Sequence, residues 1–445
     1  MAVKTEVIII GGGAAGMTAA IACARQKRQQ LECQKDGQDK EMLAGAGKSI
    51  MILEHNEKLG RKLSATGNGK CNYTNRFQSM DCYRGTDKEI IEQVLKQFGV
   101  EDTIAFFREL GIYPKEKNGY LYPFSEQAAS LIEAMRLELE HLKVKIKCKE
   151  HIVKVEKQDG EFLVSTETYT YRAPKLILAT GGLAASKLGS DGSGYDFAKS
   201  LGLKVTKLYP ALTGLKTKED FNALAGVRVK AQITLYIENI ESTRVELCKN
   251  RESENTDVVH YTESGELQLV SYGISGIPVF QLSRFAAAAL EEGKKVTAKI
   301  DFLPELSKEE LLALCMEFKK KNAYKAAGSL FNGLLDSKVT SVLLKNAKID
   351  KNKKADALTE EEILSFCRCI KEFTCAIIDT NGFENAQVTA GGVSLEEINP
   401  DTMESKQVEG LYLTGELLDV DGICGGYNLQ WAWASGYLAG CAAGK

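Results

Sequence analysis

The feature that most limits what this chain can fold into lies in its first seventeen residues. An apolar run with no polar alternation leads straight into a glycine cluster. Residues 4–10 end in Val7-Ile8-Ile9-Ile10. They read as a short buried strand, because an unalternated apolar run suits a parallel sheet covered on both faces. Gly11, Gly13 and Gly16 then satisfy G-x-G-x-x-G, and Ala14 and Ala15 open a stretch, Ala14–Arg25, that reads as a helix. In that setting Gly11 permits the tight turn, Gly13 lets backbone approach a pyrophosphate, and Gly16 lets the helix close on the strand. The helix N-terminus favours phosphate charge. The pattern predicts a dinucleotide site, with a purely structural glycine turn as the competing reading. The fingerprint also asks for an acid roughly 20 residues on. The candidate is Glu54, farther along at the end of a second buried strand, Ser49–Glu54. A polar stretch, 26–48, reads as an exposed insertion that absorbs the extra length cheaply. A surface glutamate after a strand is the bland alternative.

Length and charge bound the rest. At ~150 residues per domain, 445 residues give about three domains, or two with large insertions. The chain is 44% hydrophobic and 26% charged, which excludes wholesale disorder. Its 57 basic and 60 acidic residues leave a net charge of −3. There is thus no global electrostatic reason to hold nucleic acid or an anionic membrane. No apolar run reaches the ~18 residues of a membrane helix, and the opening residues lack a secretory signal pattern. The expectation is a cytoplasmic protein whose twelve cysteines are mostly free thiols.

Helical patterns follow at 87–98, 101–110 and 125–142. Residues 143–172 change period and read as a β-meander with a turn at Gln158-Asp159-Gly160. Lys175–Ala179 and Gly410–Thr414 read as further buried strands, and Tyr427–Ala443 as a small-residue-rich final helix. Residues 203–302 are strand-rich, whereas 305–320, 323–345 and 359–374 read as helices. The expected class is α/β. A nucleotide-binding domain is built from both termini (1–200 and 376–445), with a β-rich insert (201–302) and a small helical insert (303–375).

Two further clusters suit a long, phosphate-bearing ligand. The segment from Gly60 to Asn72 is dense in small and polar residues, including Arg61, Lys62, Ser64, Thr66 and Gly67. Its hydroxyls, backbone amides and cations fit that role. Gly425-Gly426-Tyr427-Asn428-Leu429 leads into the final helix, where backbone amides stabilise negative charge such as that on a reduced flavin ring. Other motifs are excluded. Gly47-Lys48-Ser49 has Met42 where a P-loop needs glycine, and Gly69-Lys70 is followed by Cys71. Gly276-Ile277-Pro278 after Ser275 makes no hydrolase elbow. Cys71 has no C-x-x-C companion, and Cys367, Cys369 and Cys375 lack zinc spacing, so neither a dithiol relay nor a metal site is expected.

With the Gly60 segment taken on to Asn75, and together with Ala179-Thr180-Gly181-Gly182, Ser271–Gly276, Val388–Val393 and Thr414-Gly415-Glu416, these clusters carry a likeness over essentially the whole chain. The sequence resembles the bacterial FAD-dependent oxidoreductase family that includes 3-dehydro-bile-acid Δ4,6-reductase and aminoacetone-oxidase-like flavoproteins. The resemblance implies a Rossmann-like FAD-binding domain, a β-barrel-like insert and a helical insert. It implies that Thr180, Gly181, Gly182, Gly415 and Asp421 join the FAD site and that Glu416 faces the cofactor's linker. It also implies that the backbone of Val153 meets the adenine and that the 425–429 turn, with Gly425, Gly426, Asn428 and Leu429, meets the isoalloxazine. The activity implied is hydride transfer from NAD(P)H through FAD to a conjugated C=C of a small hydrophobic ketone. An amine oxidase using O₂ and a flavin-dependent RNA-modifying protein are the alternatives. Tyr427, Tyr272 and Arg284 are the candidates for proton donor. Electron donor and oligomeric state stay open.

Overall fold

The structure, a computed structural model, describes residues 2–34, 46–238 and 258–445. The chain divides into two compact units, 1–209 with 387–445, and 210–386.

The first unit is organised by a five-stranded, all-parallel sheet. Its order is Leu411–Leu413, Lys175–Leu178, Val7–Ile10, Ile50–Glu54, Lys145–Cys148. The opening strand is therefore central, and Val7, Ile8 and Ile9 are wholly buried. Burying each such side chain stabilises by ~1.5–3 kcal/mol. A separate four-stranded sheet contains Val3–Lys4 and the meander strands Ile152–Gln158, Glu161–Thr166 and Thr170–Ala173. Asp159 and Gly160, both at positive φ, make the expected turn. Lys145–Cys148, expected in the meander, instead extends the parallel sheet.

Both termini build this unit for a packing reason. The final helix, Tyr427–Ala443, lies against the opening helix, Ala14–Gln34. Gly436, Gly440 and Gly444 recur every four residues on one face. A Cβ on any of them would press on the backbone of Ala15, Ala19 or Cys23 in turn. Glycine there lets the two helix backbones approach closely. The opening helix also runs nine residues past the expected Arg25, through Gln34. Residues 26–34 are rich in Gln, Lys and Arg, good helix formers, and Arg25 is anchored to Glu109 and Glu138. The exposed insertion expected over 26–48 is thus shorter, and its residues 35–45 lie outside the described residues.

The second unit contains a closed six-stranded barrel in the order Leu215–Thr217, Gly273–Ser275, Val258–Val270, Arg228–Glu238, Lys295–Asp301, Phe373–Thr380. The helix Ile277–Glu291 packs on it, with Leu282, Ala286 and Ala289 buried among barrel residues such as Ile233 and Leu267. Three longer helices follow: Lys308–Lys321, Ser337–Asn346 and Glu360–Lys371. Capping boxes at Ser307/Glu310 and Thr359/Glu362 start the first and last. The single helix expected over 323–345 is two, Ala327–Leu330 and Ser337–Asn346. The break falls at Asp336, whose carboxylate accepts from Lys338 N and caps the second. The helix expected over 359–374 stops at Lys371, and Phe373–Thr380 becomes a barrel strand. Barrel and helices share one core, joining Ile300 and Cys375 to Phe331 and Phe366.

Candidate active site

The opening glycine turn sits at the carboxyl end of the central strand, where open α/β sheets bind ligands. Gly12 N donates to Glu54 Oε2 at 2.6 Å. Glu54 Oε1 accepts from the Asn56 backbone and side-chain amides, both at 2.7 Å. Arg61 in turn holds Asn56 Oδ1 at 2.8 Å, and Gly60 N donates to Gly12 O. So Glu54 is a buried carboxylate built into the turn, not a surface residue. A Cβ on Gly11 would overlap the Ala179 carbonyl, and one on Gly16 would overlap Gly11 O. The turn is therefore pressed onto the Ala179–Gly182 segment. Gly13 is different: a Cβ there meets nothing within 4 Å. Its space is open, as close approach of a pyrophosphate requires.

The Gly60–Asn72 segment forms a short helix, Arg61–Ala65, and a tight turn through Gly67 and Asn68, both at positive φ. Two of its hydroxyls serve the segment itself, Ser64 Oγ donating to Arg61 O and Thr66 Oγ1 to Leu63 O. Asn72 Oδ1 is buried and accepts no hydrogen bond among the described residues. Such an orphan acceptor is costly unless a ligand donor meets it. Lys62 reaches across the unit to Glu416 Oε2, 2.7 Å away, and to Ala184 O. Glu416 Oε1 accepts from Thr389 N, and Thr389 Oγ1 accepts from Leu183 N and Ala184 N. A Cβ on Gly182 would strike Thr389 and Glu416. The 180–182, 62 and 416 positions thus meet in one network whose charged groups already have protein partners.

The final helix keys the remaining pieces to this network through buried polar side chains. Trp431 Nε1 donates to Gly415 O, and Gly415 N donates to Ser435 Oγ. Gln430 Oε1 accepts from Thr74 and Thr103, while its amide donates to Phe98 O. Trp433 Nε1 donates to Tyr73 O. Asn428 bonds both the N–H and the carbonyl of Gly422, closing the turn before the helix. Asp421 is buried in a two-stranded ladder opposite Arg84, and Leu429 is partly buried. Gly426 caps the helix with no side-chain bond.

At the other end, Val153 lies at a register shift between Lys154 and Ile152, with no partner residue in its ladder. A bulge of this kind leaves a backbone group without its usual partner. His55 and His151, beside Glu54 and Val153 in sequence, place their Nδ1 atoms 3.0 Å apart. That contact needs one ring nitrogen to donate and the other to accept.

The proton-donor candidates are divided. Tyr427 lies in the first unit, Tyr272 and Arg284 in the second. Burial first, then a hydrogen bond with the Cys82 thiol, pushes the Tyr427 hydroxyl well above the ordinary phenol range. Tyr272 packs its hydroxyl end over Gly214, and the Arg284 guanidinium lies 5.8 Å from the Phe285 ring centre. Burial pushes the Cys71 thiol up to about 12, the reverse of what a reactive thiolate needs. Sequence reasoning missed Tyr120, and gave no role to Asn75 and Thr389, which lie in stretches that carry the family likeness, or to His151. None has a spacing signal, because each acts through a contact distant in sequence.

Comparison with known proteins agrees with this geometry. The HI0933-like protein Rossmann domain matches residues 39–442, and the FAD binding domain matches residues 6–66. The chain is 42% identical over 438 residues to the 3-dehydro-bile acid delta(4,6)-reductase of Clostridium scindens, covering 98% of each chain. It is 29% identical to the ribosomal RNA dihydrouridine synthase of Haemophilus influenzae, covering 98% of each. The like-named protein of Escherichia coli is also 29% identical, with 98% of this chain and 96% of that one covered. No helix among the described residues is long and apolar enough to cross a membrane. The open cradle at Gly13 and the orphan acceptor of Asn72 fit the cofactor these matches carry: the chain belongs to the HI0933-like family of Rossmann-fold flavoproteins and is an FAD-dependent oxidoreductase.

Proposed function

We propose that this protein is a cytoplasmic reductase that takes a hydride from NAD(P)H and delivers it to the conjugated C=C of a small hydrophobic ketone of the 3-dehydro-bile-acid kind. The observation that carries this reading is the 42% identity, over nearly the full length of both chains, to a reductase of that substrate class. Bound FAD supplies the hydride chemistry. On this reading Glu54 and the backbone of Val153 hold the adenosine, and the amides around Gly11, Gly13, Ala14 and Ala15 hold the pyrophosphate. Asn72 accepts from the ring or ribityl chain. Arg61, Lys62, Glu416 and Thr389 act as struts for that cradle, with Ser64, Thr66 and Gly67 shaping its wall. Thr180, Gly181, Gly182, Gly415 and Asp421 line it, and the Gly425-Gly426-Tyr427-Asn428-Leu429 turn faces the ring.

Reduction of a C=C conjugated to a carbonyl also needs a hydrogen-bond donor for the oxygen and a proton for the α-carbon. Tyr120 suits that task better than Tyr427. A Cβ on Gly425 would lie 3.1 Å from the Tyr120 ring, so the phenol stands at the turn. Its hydroxyl makes no hydrogen bond among the described residues, whereas that of Tyr427 is tied to Cys82.

A second reading is favoured by the two relatives named as ribosomal RNA dihydrouridine synthases. Dihydrouridine is uridine with its ring C=C reduced, and that bond too is conjugated to a carbonyl, so one site chemistry serves both. The near-neutral charge of the chain supplies none of the attraction RNA binding draws on. Mass spectrometry separates the readings. With FAD and NAD(P)H, a 3-oxo-Δ4,6 bile acid should gain two hydrogens per bond reduced, while ribosomal RNA stays unchanged. Uridine reduction with no steroid turnover would reverse the assignment, and amine-dependent peroxide would replace both.

A further inference from the structure

We propose that Asn75 is a positioning residue that fixes the direction of the Gly426 N–H, and through it the stabilisation of negative charge on the reduced flavin. The proposal rests on the reading that the 425–429 turn faces the ring, and it deepens that reading by naming what aims the turn.

The argument starts from one peptide plane. Asn75 Nδ2 donates to the Gly425 carbonyl at 3.0 Å. Its other atom, Oδ1, accepts from Phe77 N at 3.0 Å. A backbone amide can only donate, so this second bond fixes which end of the side-chain amide faces Gly425. Asn75 is itself held: it is buried, and its strand pairs with Tyr120 and Leu121. In a planar trans peptide the carbonyl of one residue and the N–H of the next point in opposite directions. Holding the Gly425 carbonyl toward Asn75 therefore aims the Gly426 N–H away from it.

That plane needs holding. Gly425 and Gly426 have φ of 134° and 94°, and two adjacent glycines have little intrinsic preference to resist a peptide rotation. Side chains are barred from both positions. A Cβ on Gly425 would crowd Tyr427, Tyr120 and Asn75, and one on Gly426 would sit 2.8 Å from the Thr74 backbone. The lack of a side chain that makes the fit possible also leaves the plane loose, and Asn75 is the side chain that bonds it. On the far side of the turn Asn428 locks Gly422, and Ile423 N donates to Cys82 O. These bonds anchor the ends of the turn but not its central peptide. An aimed N–H at a helix start stabilises negative charge, whereas a rotated plane presents a carbonyl oxygen instead.

The test is a redox titration of FAD-loaded protein, with oxidised-FAD affinity measured by fluorescence. Asn75→Ala removes both bonds; Asn75→Asp keeps the acceptor for Phe77 N and loses only the donor to Gly425. Both variants should bind reduced FAD about tenfold more weakly relative to oxidised FAD, a potential about 30 mV lower for a two-electron couple. Oxidised-FAD affinity should stay within about threefold. If Asn75→Ala does not fold by circular dichroism, Asn75→Ser supplies the neutral variant. A potential that falls only in Asn75→Asp assigns the effect to added charge and overturns the proposal, as does no fall in any variant. Failure of the wild-type protein to take up FAD would instead overturn the reading on which the proposal rests.

Discussion

Lys62 and Glu416, 354 residues apart in sequence, form an ion pair of 2.7 Å that also engages Ala184 O and, through Glu416, Thr389 N. Both side chains are about one-fifth exposed (24% and 18%), so the pair is screened less than a surface bridge. It ties the segment after Ile50–Glu54 to the segment that follows Leu411–Leu413, the last strand to join the parallel sheet. Lys62→Met should cost about 1–3 kcal/mol, because it strips a charged donor from a mostly buried carboxylate. Lys62→Met with Glu416→Gln should recover part of that loss. Urea unfolding of the apo-protein reads both. With Glu416→Gln alone closing the cycle, a double-variant loss equal to the sum of the two single losses would show that the pair contributes nothing of its own.

Glycines here separate by what fills their space. Gly440 faces the Ala19 carbonyl, whereas nothing lies within 4 Å of a Cβ at Gly13. Gly440→Ala should destabilise the apo-protein by about 1–3 kcal/mol through overpacking. Gly13→Ala should leave apo stability within about 0.5 kcal/mol yet weaken FAD uptake at least tenfold. Thermal melts and a fluorescence titration check the pair. Normal FAD affinity in Gly13→Ala would place the cofactor elsewhere.

The two phenols at the last turn should behave oppositely. Tyr120→Phe should lower turnover about 10²-fold or more, in the range of general acid–base contributions, with flavin reduction by NAD(P)H unchanged. Tyr427→Phe should change turnover by less than about threefold, because its hydroxyl is already tied to Cys82. Single-turnover kinetics of the two half-reactions distinguish the cases. The reverse pattern would restore Tyr427 as the donor.

The parts legible in the sequence were those set by local pattern. Val7–Ile10 had to be buried on both faces because it does not alternate, and Tyr427–Ala443 begins and ends where its small-residue pattern does. Residues 26–34 read as a loop in the sequence yet are helical, because a charged surface helix and a polar loop share composition. Phe373–Thr380 was hidden behind a helix whose period ran into it; its alternating burial shows only once the barrel supplies an inside. The glycine clusters marked the site, but Asn75, Thr389 and Tyr120 did not mark themselves. Each is an ordinary polar residue until a partner hundreds of residues away arrives: 350 residues separate Asn75 from Gly425.

Burial of Cys71 predicts a pH dependence. Its folded value is raised from 9.0 to about 12, so the folded state keeps a proton that the unfolded chain gives up. The stabilisation is complete below pH 9.0 and is lost at roughly 1.4 kcal/mol per pH unit up to about 12. Cys71→Ala should therefore flatten part of the alkaline fall in stability. Urea midpoints at pH 8 and 10 measure it; identical slopes in wild type and variant would show that the thiol titrates normally.

The most direct measurement is anaerobic stopped-flow absorbance of the FAD-loaded protein mixed with NADH or NADPH, then with a 3-oxo-Δ4,6 bile acid. The account predicts rapid bleaching of the flavin by at least one nucleotide and its return on adding the steroid. A flavin that neither nucleotide bleaches, or that the steroid cannot reoxidise, would contradict it.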